Sequence, residues 1–454
     1  MKTLAEAYGE CVAALGFRDL PAAAVETART GFIDCSAVIV AGCAEEPVRI
    51  LRDTLAAEGG TGEATLYFSA LRATAPAAAW INGTAGHVLD YDDFARGHPS
   101  VVIVPALLAE GEVLDSTGMD LITAYVAGYE VFIDLLTRDI DSYQVKGWHP
   151  TPLIGALAAA AACARLRKLD AKGVTSALGI AAAQASGITA SYGTMAKSVQ
   201  VGKAAHTGVL SARLAARGMT AGSDVLDHAQ GFLAALSPGG RVDLARPVAI
   251  GQDWHILTRG LSIKRYPACY CVHRLVDSAL ELATQTPIKV GDIASIEVSL
   301  SKTHVTILKH HQPRTGMEAK FSAEFAVAAA LLSGNLGMRE VNDTYVLRPE
   351  VQALMRLVSI VENENYDPES LGFSLFDQVK VTLNDGRTLE GPQVRHALGH
   401  AKKPLSADDL RRKFMDCFAG AHVDSDALFA DFLRLETLTS CRSLVRRSVL
   451  SEAA

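Results

Sequence analysis

A chain of 454 residues is long enough for two domains, and 49% hydrophobic against 20% charged residues excludes a disordered polymer. The formal net charge of -7 argues against non-specific nucleic-acid binding, which needs a basic surface, yet leaves room for a local basic pocket that takes an anion. Aromatic residues are only 6%, so Ala, Leu, Val and Ile must fill the core, and an Ala-rich interior favours closely packed helices.

The first residues carry Glu6 and Glu10 within an apolar pattern, which predicts a helix rather than a secretory signal. Helical length and spacing recur over 21–40, 75–89, 119–136, 152–166, 172–185 and 203–217, with Pro21, Pro76 and Pro152 at the starts, where proline is tolerated. The longest apolar run, 152–164, is too short to span a membrane. Without a signal peptide, the eight cysteines read as free thiols and the chain as cytoplasmic. No repeat of 20–50 residues is visible, which excludes a regular solenoid.

The texture changes after Tyr266-Pro267. Ile296, Val298 and Leu300 alternate with polar residues, as do Val379, Val381 and Leu383, and both patterns predict strands. Asp385-Gly386 after the second of these is a hairpin signal. Two helices are predicted between the strands, over 319–332 and 348–361. Helical patterns return after Pro404, over 407–418 and 425–435. The expected fold is therefore mainly α: a large all-helical domain formed by 1–266 together with 399–454, and a smaller α+β domain over 267–398.

Three polar clusters share a design. Gly97-His98-Pro99-Ser100 precedes an apolar segment whose helix is expected to start near Pro105. Trp148-His149-Pro150-Thr151 precedes an Ala-rich helix, and Gly193-Thr194-Met195-Ala196-Lys197-Ser198 precedes a helix expected from Lys203. Each sets a basic side chain ahead of a helix N-terminus, where unpaired N–H groups and the helix dipole attract anions. A His before Pro can equally be a simple cap, but the threefold recurrence favours a site for a carboxylate. A fourth cluster runs from His87 to Phe94 and contains Asp90, Asp92 and Asp93. Continued as a helix, it would put His87 with Asp90, and Asp90 with Asp93, on shared faces. A fifth, Lys264-Arg265-Tyr266-Pro267-Ala268-Cys269, sits at the expected domain junction, where adjacent cations would suit a polyanion.

Metal and cofactor signals are weak. Cys269, Cys271 and His273 lack a second ligand pair, and no cysteine array suits an iron–sulfur cluster. His310-His311 is isolated, and His396 and His400 lie in a Gly-containing loop. No Gly-x-Gly-x-x-Gly motif follows a strand and no phosphate loop occurs. The expectation is an enzyme with neither metal nor organic cofactor.

Taken together, the motifs resemble the MmgE/PrpD family, which includes 2-methylcitrate dehydratases, cis-aconitate decarboxylases and an iminodisuccinate epimerase. The matching stretches are Asn82-Gly83, His87 to Asp93, Gly97 to Ser100, Gly147 to Thr151, Tyr192 to Lys197, Lys264 to Cys269 and Glu318 to Ser322, in family order. The resemblance implies an all-helical domain built from both chain ends, a smaller α+β domain, a homodimer and an active site between the domains. By motif match, Asp90, His98, His149, Lys197 and Lys264 fall at active-site positions, with no metal. One departure stands out: Phe94 occupies the position after the Asp-Asp pair where decarboxylases and dehydratases of the family carry a hydroxyl residue.

The chemistry so implied acts at a carbon beside a carboxylate of a small polycarboxylic acid. Lys197 and Lys264 would stabilise charge developing on the carboxylate oxygens, His149 and His98 would carry protons, and Asp90 would orient a histidine. The first expectation is dehydratase-like elimination. The alternatives are epimerisation of an iminodisuccinate-like acid, decarboxylation of a cis-aconitate-like acid, and a non-catalytic carboxylate binder.

Overall fold

The structure is a computed structural model that describes residues 2–369, 373–419, 421 and 423–446. The chain divides into two compact units. One takes in residues up to 191, 195–261 and the chain from 406 onward; the other takes in 192–194 and 262–405.

The first unit is helical apart from a short hairpin of β1 (Ala64–Thr65) and β2 (Arg72–Ala73). Its helix starts follow local chemistry. Thr3 with Glu6 and Thr117 with Asp120 form capping boxes, Thr74 accepts from the Ala77 N–H, and Pro150 occupies the first helical position. The helix Pro150–Leu166 is central: every residue from Leu157 to Ala164 is fully buried, as an all-round apolar helix requires. It packs against the helices Ser100–Leu114, Gly118–Arg138 and Ala196–Ala216. Two glycines allow close crossings. A Cβ on Gly208 would stand 2.3 Å from the Ala159 Cβ, and one on Gly202 would stand 2.3 Å from both Thr84 Oγ1 and the Trp80 carbonyl oxygen. The second crossing sets the helix Ala75–Val88 directly against the helix Ala196–Ala216.

Three helix limits differ from the sequence expectation. The helix expected near Pro105 begins at Ser100 and contains the proline. Pro105 lacks an N–H for the Val101 carbonyl, a local loss that burial of the surrounding apolar residues outweighs. The helix expected from Lys203 begins at Ala196, so Lys197 lies in its first turn rather than in a preceding loop. The helix Ala75–Val88 stops before Asp90, which adopts a left-handed conformation with φ of 50°. The shared helical face expected for Asp90 and Asp93 is therefore not formed.

The second unit is built on a four-stranded sheet: β3 (Ile293–Leu300), β4 (Val358–Glu362), β5 (Gln378–Leu383) and β6 (Thr388–Glu390), in the order β4-β3-β5-β6. β3 and β4 are parallel, and the other pairs are antiparallel. The Asp385-Gly386 turn joins β5 to β6, and Gly386 has φ of 86°, a conformation that glycine adopts without strain. Val298, Leu300, Val379 and Val381 form one core with Val276 of the helix His273–Gln285 and Ala326 of the helix Ala323–Ser333. The helix expected over 348–361 is corrected: helix covers Pro349–Met355 only, and the β-branched run around Val358, Ile360 and Val361 joins the sheet as β4. The helix expected over 319–332 is also split, because Ser322 caps a new start by accepting from the Phe325 N–H.

The C-terminal helices Ala407–Cys417 and Ser425–Leu433 belong to the first unit. Lys413 lies 2.6 Å from Asp34 and donates to the Tyr91 carbonyl at 2.8 Å, which ties this end of the chain to the loop after Val88. No helix among the described residues is long and apolar enough to cross a membrane. All eight cysteines are free thiols.

Candidate active site

The close crossing at Gly202 has a chemical consequence at the helix ends. It brings His87, in the last turn of Ala75–Val88, to Lys197, in the first turn of Ala196–Ala216. The Lys197 ammonium lies 2.9 Å from His87 Nε2 and 3.3 Å from Asp90 Oδ1. On the other side of the His87 ring, Nδ1 lies 2.9 Å from Asp92 Oδ2. His98 Nδ1 approaches that same oxygen at 3.1 Å along a bent line. The His98 ring stands edge-on to His87 with centroids 4.8 Å apart, and His149 completes the group 6.0 Å from His87. Four of the five sequence-predicted residues, Asp90, His98, His149 and Lys197, thus come together within the first unit.

Burial sorts this group into layers. The side chains of His87 and Asp92 are wholly buried, whereas those of Asp90, Lys197 and His98 keep 4%, 9% and 11% of their surface. The first pair is sealed from solvent, and the other three keep a slight exposure.

His149 is the N-cap of Pro150–Leu166, and its protonation is set by a neighbour. Gln200 Oε1 accepts from the Ile188 N–H at 3.1 Å, and Gln200 Nε2 donates to the Ile188 carbonyl at 3.2 Å. This two-sided clamp fixes the amide, so the group facing His149 Nδ1 at 2.7 Å is the donor Nε2. His149 Nδ1 must accept, and the ring proton sits on Nε2.

The electrostatics agree with neutral rings in a buried site. Burial pushes His87 down to about 4, against the pull of Asp92 and with the help of Lys197. His149 is held well below the usual imidazole range, first by burial and then by Lys197. Burial alone would raise the Asp92 carboxyl, but the two imidazoles overcome it and hold the group well below the carboxylate range. Its sequence neighbour goes the other way: burial and the nearby Asp34 push Asp93 well up. Asp93 accepts from the Ser100 hydroxyl and backbone N–H, so its work is to cap the Ser100–Leu114 helix.

His87, Asp90, Asp92 and His98 each bring one ligand atom within 4.8 Å of the others, a donor set of the kind that could hold a divalent ion. Lys197 bears directly on that reading, because its ammonium already faces His87 Nε2 and Asp90 Oδ1. The chain supplies its own cation to this donor set. Among the described residues, neither the Cys269, Cys271 and His273 group nor the His310-His311 and His396, His400 pairs form such a cluster.

Lys264 belongs to the second unit and is fully buried there, beside Ile263, whose N–H pairs with the Gly399 carbonyl at 2.8 Å. The adjacent Arg265 is exposed and lies over the Tyr266 ring, so the two cations do not form one patch. Phe94 packs its ring against His98, with centroids 5.6 Å apart, and so gives that side of the imidazole an apolar wall.

Sequence reasoning did not single out three participants. His87 lay inside a quoted motif as a helix neighbour of Asp90, and Asp92 stood in the same motif without a role; the end of the helix at Val88 is what lets Asp92 turn back to His87 and His98. Gln200 carried no signal, because its role depends on the path of the Ile188 backbone.

The model of the MmgE/PrpD N-terminal domain matches residues 6–245, and that of the MmgE/PrpD C-terminal domain matches residues 266–430. The chain belongs to the MmgE/PrpD family. Among relatives of this MmgE/PrpD protein, the cis-aconitate decarboxylase of Mus musculus is 30% identical over 81% of the chain and 77% of its own length. The cis-aconitate decarboxylase of Homo sapiens is 30% identical over 74% of the chain and 71% of its own length. The 2-methylcitrate dehydratase of Cupriavidus necator is 25% identical over 32% of the chain and 33% of its own length.

Proposed function

We propose that the protein is a lyase that acts on a small polycarboxylic acid at a carbon next to a carboxylate. The observation that carries this reading is the convergence of a lysine ammonium, a carboxylate and neutral imidazoles at one buried site. Breaking a C–H or C–CO2 bond at such a carbon leaves an electron pair that spreads into the neighbouring carboxylate. The Lys197 ammonium is the group to meet that charge, because it is preorganised by His87 and Asp90 and shielded from water. His149, neutral and with its proton on Nε2, suits hydrogen-bond donation to a carboxylate oxygen of the acid. His98, whose side chain is the most exposed of His87, Asp90, Asp92, Lys197 and His98, suits proton acceptance. Lys264 is the second cation that motif match assigns to the site.

The two possible outcomes have unequal support. Matches over most of the chain are to cis-aconitate decarboxylases, which favours loss of CO2 from a cis-aconitate-like acid. The match to a 2-methylcitrate dehydratase over a third of the chain keeps elimination of water as the second reading. Phe94 replaces a hydroxyl residue beside His98, so the acid that fits is expected to place an apolar group there. The test is turnover of cis-aconitate, 2-methylcitrate and related di- and tricarboxylates by the purified protein, with products read by proton NMR. Conversion of one of these acids supports the reading. No conversion of any, at high enzyme concentration, overturns it.

A further inference from the structure

We propose that Asp92 is the positioning residue of this site. One of its carboxylate oxygens accepts the Nδ1–H of His87 and faces Nδ1 of His98, so that each ring keeps its proton on Nδ1 and a lone pair on Nε2, one to hold the Lys197 ammonium and one to receive the proton that the reaction moves. This rests on the lyase reading for the last step only; the placement of both rings at Asp92 stands on geometry.

Three observations carry it. First, Oδ2 of Asp92 lies 2.9 Å from His87 Nδ1 and 3.1 Å from His98 Nδ1, so a single atom faces two ring nitrogens. An ionised carboxylate can only accept, which puts a proton on the hydrogen-bonded His87 Nδ1, and its charge favours a proton on the nearby His98 Nδ1 in the same way. Second, an ammonium can only donate, and Lys197 lies 2.9 Å from His87 Nε2. The far side of His87 must therefore be a lone pair, the tautomer that Asp92 imposes from the near side. Third, Asp92 is wholly buried and its other oxygen has no hydrogen-bond partner among the described residues. A carboxylate held so far from water and used on one oxygen is poorly explained as a fold-stabilising cap, the role that Asp93 fills beside it. Asp92 is itself sealed from solvent and acts through the rings.

The test reads tautomers in the resting enzyme and then kinetics. In protein labelled with 15N-histidine, with His87→Gln and His98→Gln used for assignment, two-bond 15N–1H spectra at neutral pH should show both rings protonated at Nδ1. Asp92→Asn should change those patterns and lower kcat by about a thousandfold with KM within about threefold, as expected when a ring is held in the wrong tautomer. His87→Gln, whose amide can both donate to Asp92 and accept from Lys197, should keep at least about tenfold more kcat than His87→Phe. A merely structural Asp92 would lower the folded fraction and leave the tautomers and the kcat of the folded remainder unchanged. Either ring protonated at Nε2 in the wild type overturns the positioning claim, whether or not Asp92→Asn folds. Nδ1 protonation of both rings without turnover of any acid faults the lyase reading alone.

Discussion

Lys197→Met deletes the ammonium and keeps most of the apolar stem. From sequence, Lys197 reads as an active-site cation carried in a loop ahead of a helix, but the structure buries it in a first helical turn. Two unit charges 3.3 Å apart, as at Lys197 and Asp90, attract by about 5 kcal/mol at an effective dielectric constant of about 20. Removing one partner of a buried pair is expected to destabilise by about 3–5 kcal/mol, because the other charge is left uncompensated. Turnover should fall at least about a hundredfold, the lower range for a preorganised charge-stabilising group. The two effects separate in Lys197→Met with Asp90→Asn. The double variant should regain much of the stability, since the stranded charge is gone, and none of the turnover. Urea unfolding and steady-state rates on the same preparations supply both numbers. Turnover within about threefold of wild type, with unchanged unfolding, would refute the placement of Lys197 at the reacting centre.

Gln200→Glu replaces the donor facing His149 Nδ1 with a carboxylate. It should raise the His149 pKa, move a proton onto Nδ1 and lower turnover at least about tenfold; an unchanged pH–rate profile would contradict the assigned tautomer. His87 titrates near 4 in the folded protein and near 6.5 when unfolded, so the unfolded chain binds the proton first on acidification. Its contribution is in place above pH 6.5 and is lost as pH falls towards 4, by about 3 kcal/mol. His87→Gln should therefore lose less stability than wild type between pH 7 and pH 4, and equal losses in denaturant titrations would count against this. Activity should survive exhaustive chelation, since Lys197 supplies the cation among the four donors; loss with EDTA and return with one metal ion would reverse that assignment.

The helices of the first unit were readable because proline starts, capping residues and apolar period all point the same way, as in 118–138 and 150–166. Readings failed where tertiary packing overrode local signals. Pro105 is carried inside a buried helix, and Val358–Glu362 follows its β-branched composition into the sheet rather than extending the preceding helix. At the site, sequence supplied the basic residues but not their arrangement. The left-handed turn at Asp90 is what separates Asp92 from the helix and aims it at two imidazoles. No periodicity argument contains that turn. The crossing at Gly202 is similarly silent in sequence, yet it decides that Lys197 meets His87.

The central claim is that this site moves a proton at a carbon next to a carboxylate. Incubation of the wild-type protein in D2O with cis-aconitate, 2-methylcitrate and related acids, followed by proton NMR, tests it most directly. The account predicts deuterium at that carbon in product or recovered acid, at a rate at least about a hundredfold above that of Lys197→Met. Absence of deuterium from every acid, or equal incorporation by the variant, would contradict it.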